Sequence, residues 1–333
     1  MSQILRNRES RLIKPSKTGL SMPINRRRFL KEAVLTGGAL ATASMLPITA
    51  GAEPAVTRSI TILHTNDVHS RLEPFPMDGG RNQGLGGVAA RAALIQEIRN
   101  EGGQVLLLDA GDIFQGTPYF NMYKGEPEMK AMRMMGYDAA TMGNHDFDAG
   151  LANFATQLQH GGFPLLIANY EFTGTPMDMK FQPYKIFQKG DLKIGVLGVG
   201  IELKGLVPEN LYGKTVYTNP IEAANRSADE LRKQGCDMVI CLSHLGDKYD
   251  DDRMSDEILA KETYDIDLII GGHTHRFFEE PRKYRNRKGG DVVVNQVGWA
   301  GIQLGRLDYS FPGSKKKNLS NAHTVVIGKK TRE

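Results

Sequence analysis

Cysteine is almost missing from this chain of 333 residues: only Cys236 and Cys241 occur. They lie five positions apart, the second inside an apolar run that reads as a strand. An extended segment holds such a pair too far apart for a disulfide. Stability must therefore come from a hydrophobic core, and thiolate metal sites are excluded. No apolar run is long enough to span a bilayer, so no transmembrane span is expected in the mature chain. Strong charge of one sign is also lacking once the N-terminus is set apart. The whole chain carries +4, but residues 1–52 hold nine Lys+Arg against two Asp+Glu, a net of +7, which leaves about −3 for the rest. Nothing in that balance suggests a nucleic-acid binder. The one basic run, Arg282, Lys283, Arg285, Arg287 and Lys288, reads as a solvated hairpin tip beside Gly289 and Gly290. "GLGGVA" (84–89) fits a dinucleotide fingerprint in letters only, because it follows a proline-rich loop rather than a strand.

What is present begins with an export signal. "NRRRFLK" (25–31) precedes a soft apolar stretch (33–48) and the small-residue site "AGA" (50–52). This order of charged, apolar and cleavage regions marks a secretory signal rather than a membrane anchor. Arg26 and Arg27, followed by Phe29, Leu30 and Lys31, resemble the twin-arginine pattern. The expected division is a signal over 1–52 and one further domain over 53–333, located in the periplasm or outside the cell.

Beyond the signal, short β-branched runs alternate with helix-like stretches. The runs include 59–65, 104–110, 193–199, 237–243 and 266–272; the helices are expected at 88–100, 126–136, 150–160, 219–234 and 253–262. That alternation argues for an α/β fold with buried strands. The segments 291–311 and 322–329 read as antiparallel strands with glycine turns. A long Pro/Gly-rich loop fills 70–87.

Polar clusters follow five of the strand-like runs: "NDVH" (66–69), "GDIFQG" (111–116), "GNHDFD" (143–148), "SHLGD" (243–247) and "GGHTH" (271–275). Of the eight histidines, His69, His145, His244, His273 and His275 fall inside these clusters, which points to one rim beyond the carboxyl ends of the strands. Imidazole, carboxylate and amide donors without sulfur suit Mn, Fe, Zn or Co. The i, i+2 pairs Asp67/His69 and His273/His275 would each clasp one ion from an extended strand end. The donors are too many for one ion, and two divalent metal ions sharing a carboxylate are expected. His64 and Asp109 read as core or supporting residues, Asp146 as a loop surface charge, and Phe114, Tyr119, Phe120, Tyr123 and Trp299 as packing residues.

The ordered set D-x-H, GD, GNH, H and GH-x-H resembles the calcineurin-like metallophosphoesterases. "ILHTNDVH", "LLLDAGDIFQGTP", "GNHDFDAG" and "GGHTH" look like the catalytic domain of the 5′-nucleotidase branch, over roughly 58–312. The resemblance implies a four-layer α-β-β-α sandwich with an antiparallel C-terminal portion. It implies that Asp67, His69 and His275 hold one metal, that Asn144, His244 and His273 hold the other, and that Asp112 bridges them. It also implies that His145, oriented by Asp148, protonates the leaving group of a small phosphoester, nucleotides being the expected substrates. Members of this branch usually continue into a second domain that reads the nucleotide, and this chain stops at Glu333. The alternatives are therefore a catalytic subunit needing a separate nucleotide-binding polypeptide, or a Sox-type sulfur-compound hydrolase.

Overall fold

The computed structural model describes residues 58–312 and 317–328. The expected signal over 1–52 lies outside these residues. Two sheets face each other. The first runs, edge to edge, β13 (Asn318–Val326), β12 (Gln303–Phe311), β1 (Arg58–Thr65), β2 (Val105–Asp109) and β3 (Ala139–Ala140). The second runs β10 (Arg282–Arg285), β11 (Asp291–Asn295), β9 (Leu268–Ile270), β8 (Met238–Ser243), β6 (Leu192–Val199) and β5 (Tyr184–Lys189). A small ribbon pairs β4 (Tyr170–Glu171) with β7 (Val216–Tyr217).

The helices cover the outer faces. Residues of α1 (Val88–Asn100), α2 (Pro118–Tyr123), α3 (Glu126–Met135) and α4 (Leu151–Gly161) share one core with Leu63 and Leu107 of the first sheet. The short α5 (Glu209–Tyr212) follows, then α6 (Pro220–Lys233) and α7 (Asp256–Glu262). α6 and α7 pack on Val239, Cys241 and Ile269 of the second sheet. Asn219 caps α6, accepting from Ile221 N–H at 2.9 Å, and Pro220 begins the helix where its missing N–H costs nothing. The result is the four-layer α-β-β-α order expected from sequence.

The central parallel strands are apolar on both faces because both faces are covered. In β8, Met238, Ile240 and Leu242 point between the sheets, while Val239 and Cys241 point to the helices. In β2, Leu106 and Leu108 point inward and Leu107 outward. This period-two alternation of buried residues leaves no polar face to mark the sheet surface. Both cysteines are buried and unpaired. Among the described residues no helix is long and apolar enough to cross a membrane.

One strand departs from the sequence reading. β12 is antiparallel to β1 and β13, as expected, but β11 belongs to the other sheet, parallel to β9 and antiparallel to β10. The segment 291–311 is thus divided between sheets, with the turn at 296–302 crossing the rim. The basic run does form the β10–β11 hairpin, although Arg282 reaches in to pair with Asp247. β5 escaped notice because it is a half-buried edge strand carrying Lys185, Gln188 and Lys189.

His64 ties the two sheets. Its Nε2 lies 2.9 Å from Asn295 Nδ2, and the ring fits only because Gly305 on the neighbouring strand has no Cβ to collide with it. The ring is fully buried, and burial pushes its pKa down to about 3. The unfolded chain therefore takes up a proton below about pH 6.5 while the folded protein does not. Stability from this site is complete above that pH and lost as pH falls toward 3, by about 1.4 kcal/mol per pH unit. Denaturant unfolding between pH 6.5 and 4 should lose stability more steeply in the parent than in His64→Gln, the difference in slope being the share of this site. An unchanged slope in the variant would exclude His64 as its source.

Candidate metal centre

All the clusters lie where parallel strands end. The loop after β1 carries Asn66 to Ser70, that after β2 carries Asp112, and that after β3 carries Asn144 to Asp148. From the second sheet come His244 after β8 and His273 and His275 after β9. The backbone there is unusual. Asp67 (φ 49°), His69 (φ 51°), Asp112 (φ 54°), His273 (φ 70°) and His275 (φ 53°) all adopt left-handed conformations. Each costs an L-residue about 1 kcal/mol or more, so the surroundings must impose it. Backbone bonds do so: Asp67 N–H donates to Gly111 O at 2.9 Å, His69 N–H to Asp112 O at 3.0 Å, and Ala300 N–H to Asp67 O at 2.7 Å. This corrects the expectation of extended strand ends. It also separates His273 from His275, which do not share an ion-sized cluster.

Two clusters result. Asp67, His69, Asp112 and His275 bring one ligand atom each within 4.8 Å of one another, and Asp112, His244 and His273 do the same. Asp112 belongs to both. His69 Nε2 lies 3.0 Å from His275 Nε2, and His275 Nε2 lies 3.3 Å from Asp67 Oδ1. Asn144 joins the second cluster, its Oδ1 2.8 Å from His273 Nδ1. The clusters thus gather all seven residues expected as ligands.

The second ring nitrogens show how the donors are aimed. His244 Nδ1 lies 2.7 Å from Ala110 O and His69 Nδ1 lies 3.3 Å from Phe114 O. A carbonyl can only accept, so both Nδ1 atoms carry a proton and both Nε2 atoms face the cluster. His244 Nε2 is buried without a hydrogen-bond partner, 3.0 Å from Asp112 Oδ2 but off hydrogen-bond geometry. Burial opposes charge on both groups. Their mutual attraction prevails, holding the Asp112 carboxyl far below the usual range and raising His244 to about 10. A divalent cation between them would replace that proton. Burial lowers His273 to about 4, which keeps it a neutral donor. An orphaned buried nitrogen facing a doubly used carboxylate, with no sulfur in the set, fits hard or borderline divalent metals.

Asp146 overturns its reading as a surface charge. It is buried, and its carboxylate accepts from the N–H groups of Asp112 (3.0 Å), Ile113 (3.0 Å), Phe114 (3.1 Å) and Gly143 (2.8 Å). It therefore locks the Asp112 loop to the Asn144 loop. Burial, with Asp112 beside it, raises its carboxyl to about 7 against these bonds. Gly143 must be glycine, since a Cβ there would strike the Asp112 carboxylate and backbone. Asn66 was also missed. It donates to Asp67 Oδ2 and Gly298 O, each at 2.6 Å, and accepts from Val297 N–H at 3.0 Å, joining the two sheets' loops. Neither role has a local sequence signal, because both depend on backbone groups from distant loops.

At the mouth stand His145 and Asp148. His145 Nδ1 lies 2.9 Å from Asp148 Oδ2, and its side chain is 38% exposed, so its far edge reaches solvent. The Asp148 hydrogen bond raises its pKa, against burial. His145 N–H donates to Asp112 Oδ1 at 2.8 Å, which fixes this residue to the shared carboxylate. Beside them Trp299 stacks on His275, with centroids 5.9 Å apart and planes at 13°. Trp299 thus lines the cleft and is not simply packing. Phe114 and Phe120 are core residues as expected, as are His64 and the turn-binding Asp109, which accepts from Thr65 and Gly111.

Comparison with known proteins identifies the family of the chain. The calcineurin-like phosphoesterase family matches residues 60–277. A snake venom 5′-nucleotidase from Gloydius brevicauda is 33% identical over 294 residues, which is 82% of this chain and 49% of that protein. The crystal structure of a 5′-nucleotidase precursor from Thermus thermophilus superposes with a TM-score of 0.71 at 30% identity, covering 81% of this chain and 54% of that one. Haemophilus influenzae NAD nucleotidase gives 0.73 at 27% identity, covering 81% and 56%. The chain spans about half the length of the curated relatives it matches. With its family match, its two-sheet fold and its paired donor clusters, this chain belongs to the calcineurin-like phosphoesterase family.

Proposed function

We propose that the chain is an exported phosphoesterase that uses two divalent ions, drawn from Mn, Zn, Fe and Co, to hydrolyse phosphate esters of nucleotides or related compounds. The observation that carries this reading is the pair of donor clusters meeting at Asp112, with His145 and Asp148 at their edge. Asp67, His69 and His275 would hold one ion, Asn144, His244 and His273 the other, and Asp112 both. When bound, the ions supply Lewis acidity, activating water and neutralising phosphoryl charge.

The chain's own residues supply position and the proton. His244 and His69 are held by backbone carbonyls, so their lone pairs need no reorganisation. Asp148 fixes the His145 ring through Nδ1 and stabilises its charged form, leaving Nε2 to protonate the departing oxygen. Nucleotides are the proposed substrates because the matched relatives bear that name. A second reading is that the chain acts together with a separate polypeptide that reads the nucleotide.

Purified protein supplied with Mn²⁺ should release phosphate from at least one of AMP, a UDP-sugar, a 2′,3′-cyclic nucleotide or an aryl phosphate. Metal binding without turnover of any would sink the enzymatic reading, unless activity appears in complex with a second chain. His145→Ala should keep both ions and lose about 10²- to 10⁴-fold in turnover of an alkyl phosphate, less for an aryl phosphate whose leaving group needs no proton. Asn144→Ala should instead reduce the metal content toward one ion per chain. If both variants lose metal equally, the division of roles is wrong. Replacing Arg26 and Arg27 together by lysine should trap the precursor in the cytoplasm, as read by cell fractionation. Undiminished export would exclude the twin-arginine route.

A further inference from the structure

One wall of the cleft has no part in the chemistry above. Arg71, two residues beyond His69, lines a cavity of about 230 Å³ with His69, Gln115, His145, His275 and Trp299. Its guanidinium carbon lies 4.2 Å from the centroid of the Phe75 ring. Phe75 meets Trp299 edge to face at 5.8 Å, and Trp299 stacks on His275. A continuous stack thus runs from a cation to a proposed metal ligand. Gly84 N–H donates to Phe75 O and Phe75 N–H to Leu85 O, each at 2.9 Å, so the long Pro/Gly-rich loop is folded to present this ring.

The guanidinium itself is under-used. Among the described residues no carboxylate pairs with Arg71, and its Nε is buried without a hydrogen-bond partner. A buried donor of this kind is costly unless something accepts from it. Its planar fork suits a phosphoryl group, which can accept two parallel hydrogen bonds. Stacking on Phe75 limits its rotamers, so less freedom is lost on binding.

We propose that Arg71 binds an anionic phosphoryl oxygen of the ligand beside the metal centre, with Phe75 and Trp299 as the positioning residues that hold it there. This rests on the phosphoesterase reading and supplies, within this chain, a charge that recognises the phosphoryl group. The oxygen belongs either to the phosphoryl group at the metals or to a second one attached to it.

Calorimetric titration of the Mn²⁺-loaded protein with orthophosphate and with pyrophosphate separates these, with metal content measured alongside. Arg71→Gln should weaken orthophosphate about ten- to a hundredfold at unchanged metal content if Arg71 serves the group at the metals. Weakening of pyrophosphate alone would assign it to the second group. Arg71→Lys should recover part of the loss and Phe75→Leu should give a smaller loss. Affinities for both anions within about twofold of the parent, or a loss of metal in parallel, would overturn the proposal. Arg71-dependent phosphate binding in a protein that hydrolyses no ester would leave this inference standing while the enzymatic one falls.

Discussion

The site depends on one buried carboxylate that never faces the cleft. Asp146 gathers four backbone N–H groups from two loops, and three of them belong to Asp112 and its followers. Those bonds hold Asp112 in a left-handed conformation that it would otherwise avoid. Asp112 in turn is the residue common to both donor clusters. The strain of five left-handed residues is tolerable because the loops carrying them are hydrogen-bonded to each other. Pre-organisation of this kind spends folding energy so that little rearrangement remains when a ligand arrives.

Much of this was legible in the letters. The buried strands read as continuous apolar runs because each is covered on both faces, and their ends coincide with the polar clusters. The His-rich motifs stand out since five imidazoles gathered at four strand ends have no packing purpose. What was hidden depends on backbone geometry. Nothing in "NDVH" or "GGHTH" reveals a left-handed turn, and side-chain alternation was the wrong rule for them. β11 was misplaced because Asp291–Asn295 is as apolar as any antiparallel strand; only its partner β9 decides its direction. Asp146 looked idle because its four partners are amides, which have no identity in a sequence.

The same logic separates two kinds of aromatic residue in this chain. Phe114 and Phe120 fill the core beneath the first sheet, where shape and volume matter. Phe75 and Trp299 stand on loops at the rim, and their value lies in their faces, which receive a guanidinium and an imidazole. Both sets belong to the same compositional class. Only the loop that carries Phe75 across to Trp299 distinguishes them, and a loop of that length is rarely without a purpose in a compact domain.

Each donor cluster draws on both sheets. Asp67, His69 and Asp112 come from the first, and His244, His273 and His275 from the second. Between the sheets lies an apolar layer to which both contribute. The His64–Asn295 contact is a polar cross-tie in that layer. A cation seated in either cluster would be another, gripping both halves from the rim. The spacing of the donors is then a gauge of how the halves are aligned: a shift of less than an ångström between them would leave the core buried and the site broken. Substitutions deep in the layer, far from any donor, would be felt first as altered metal affinity and only later as unfolding.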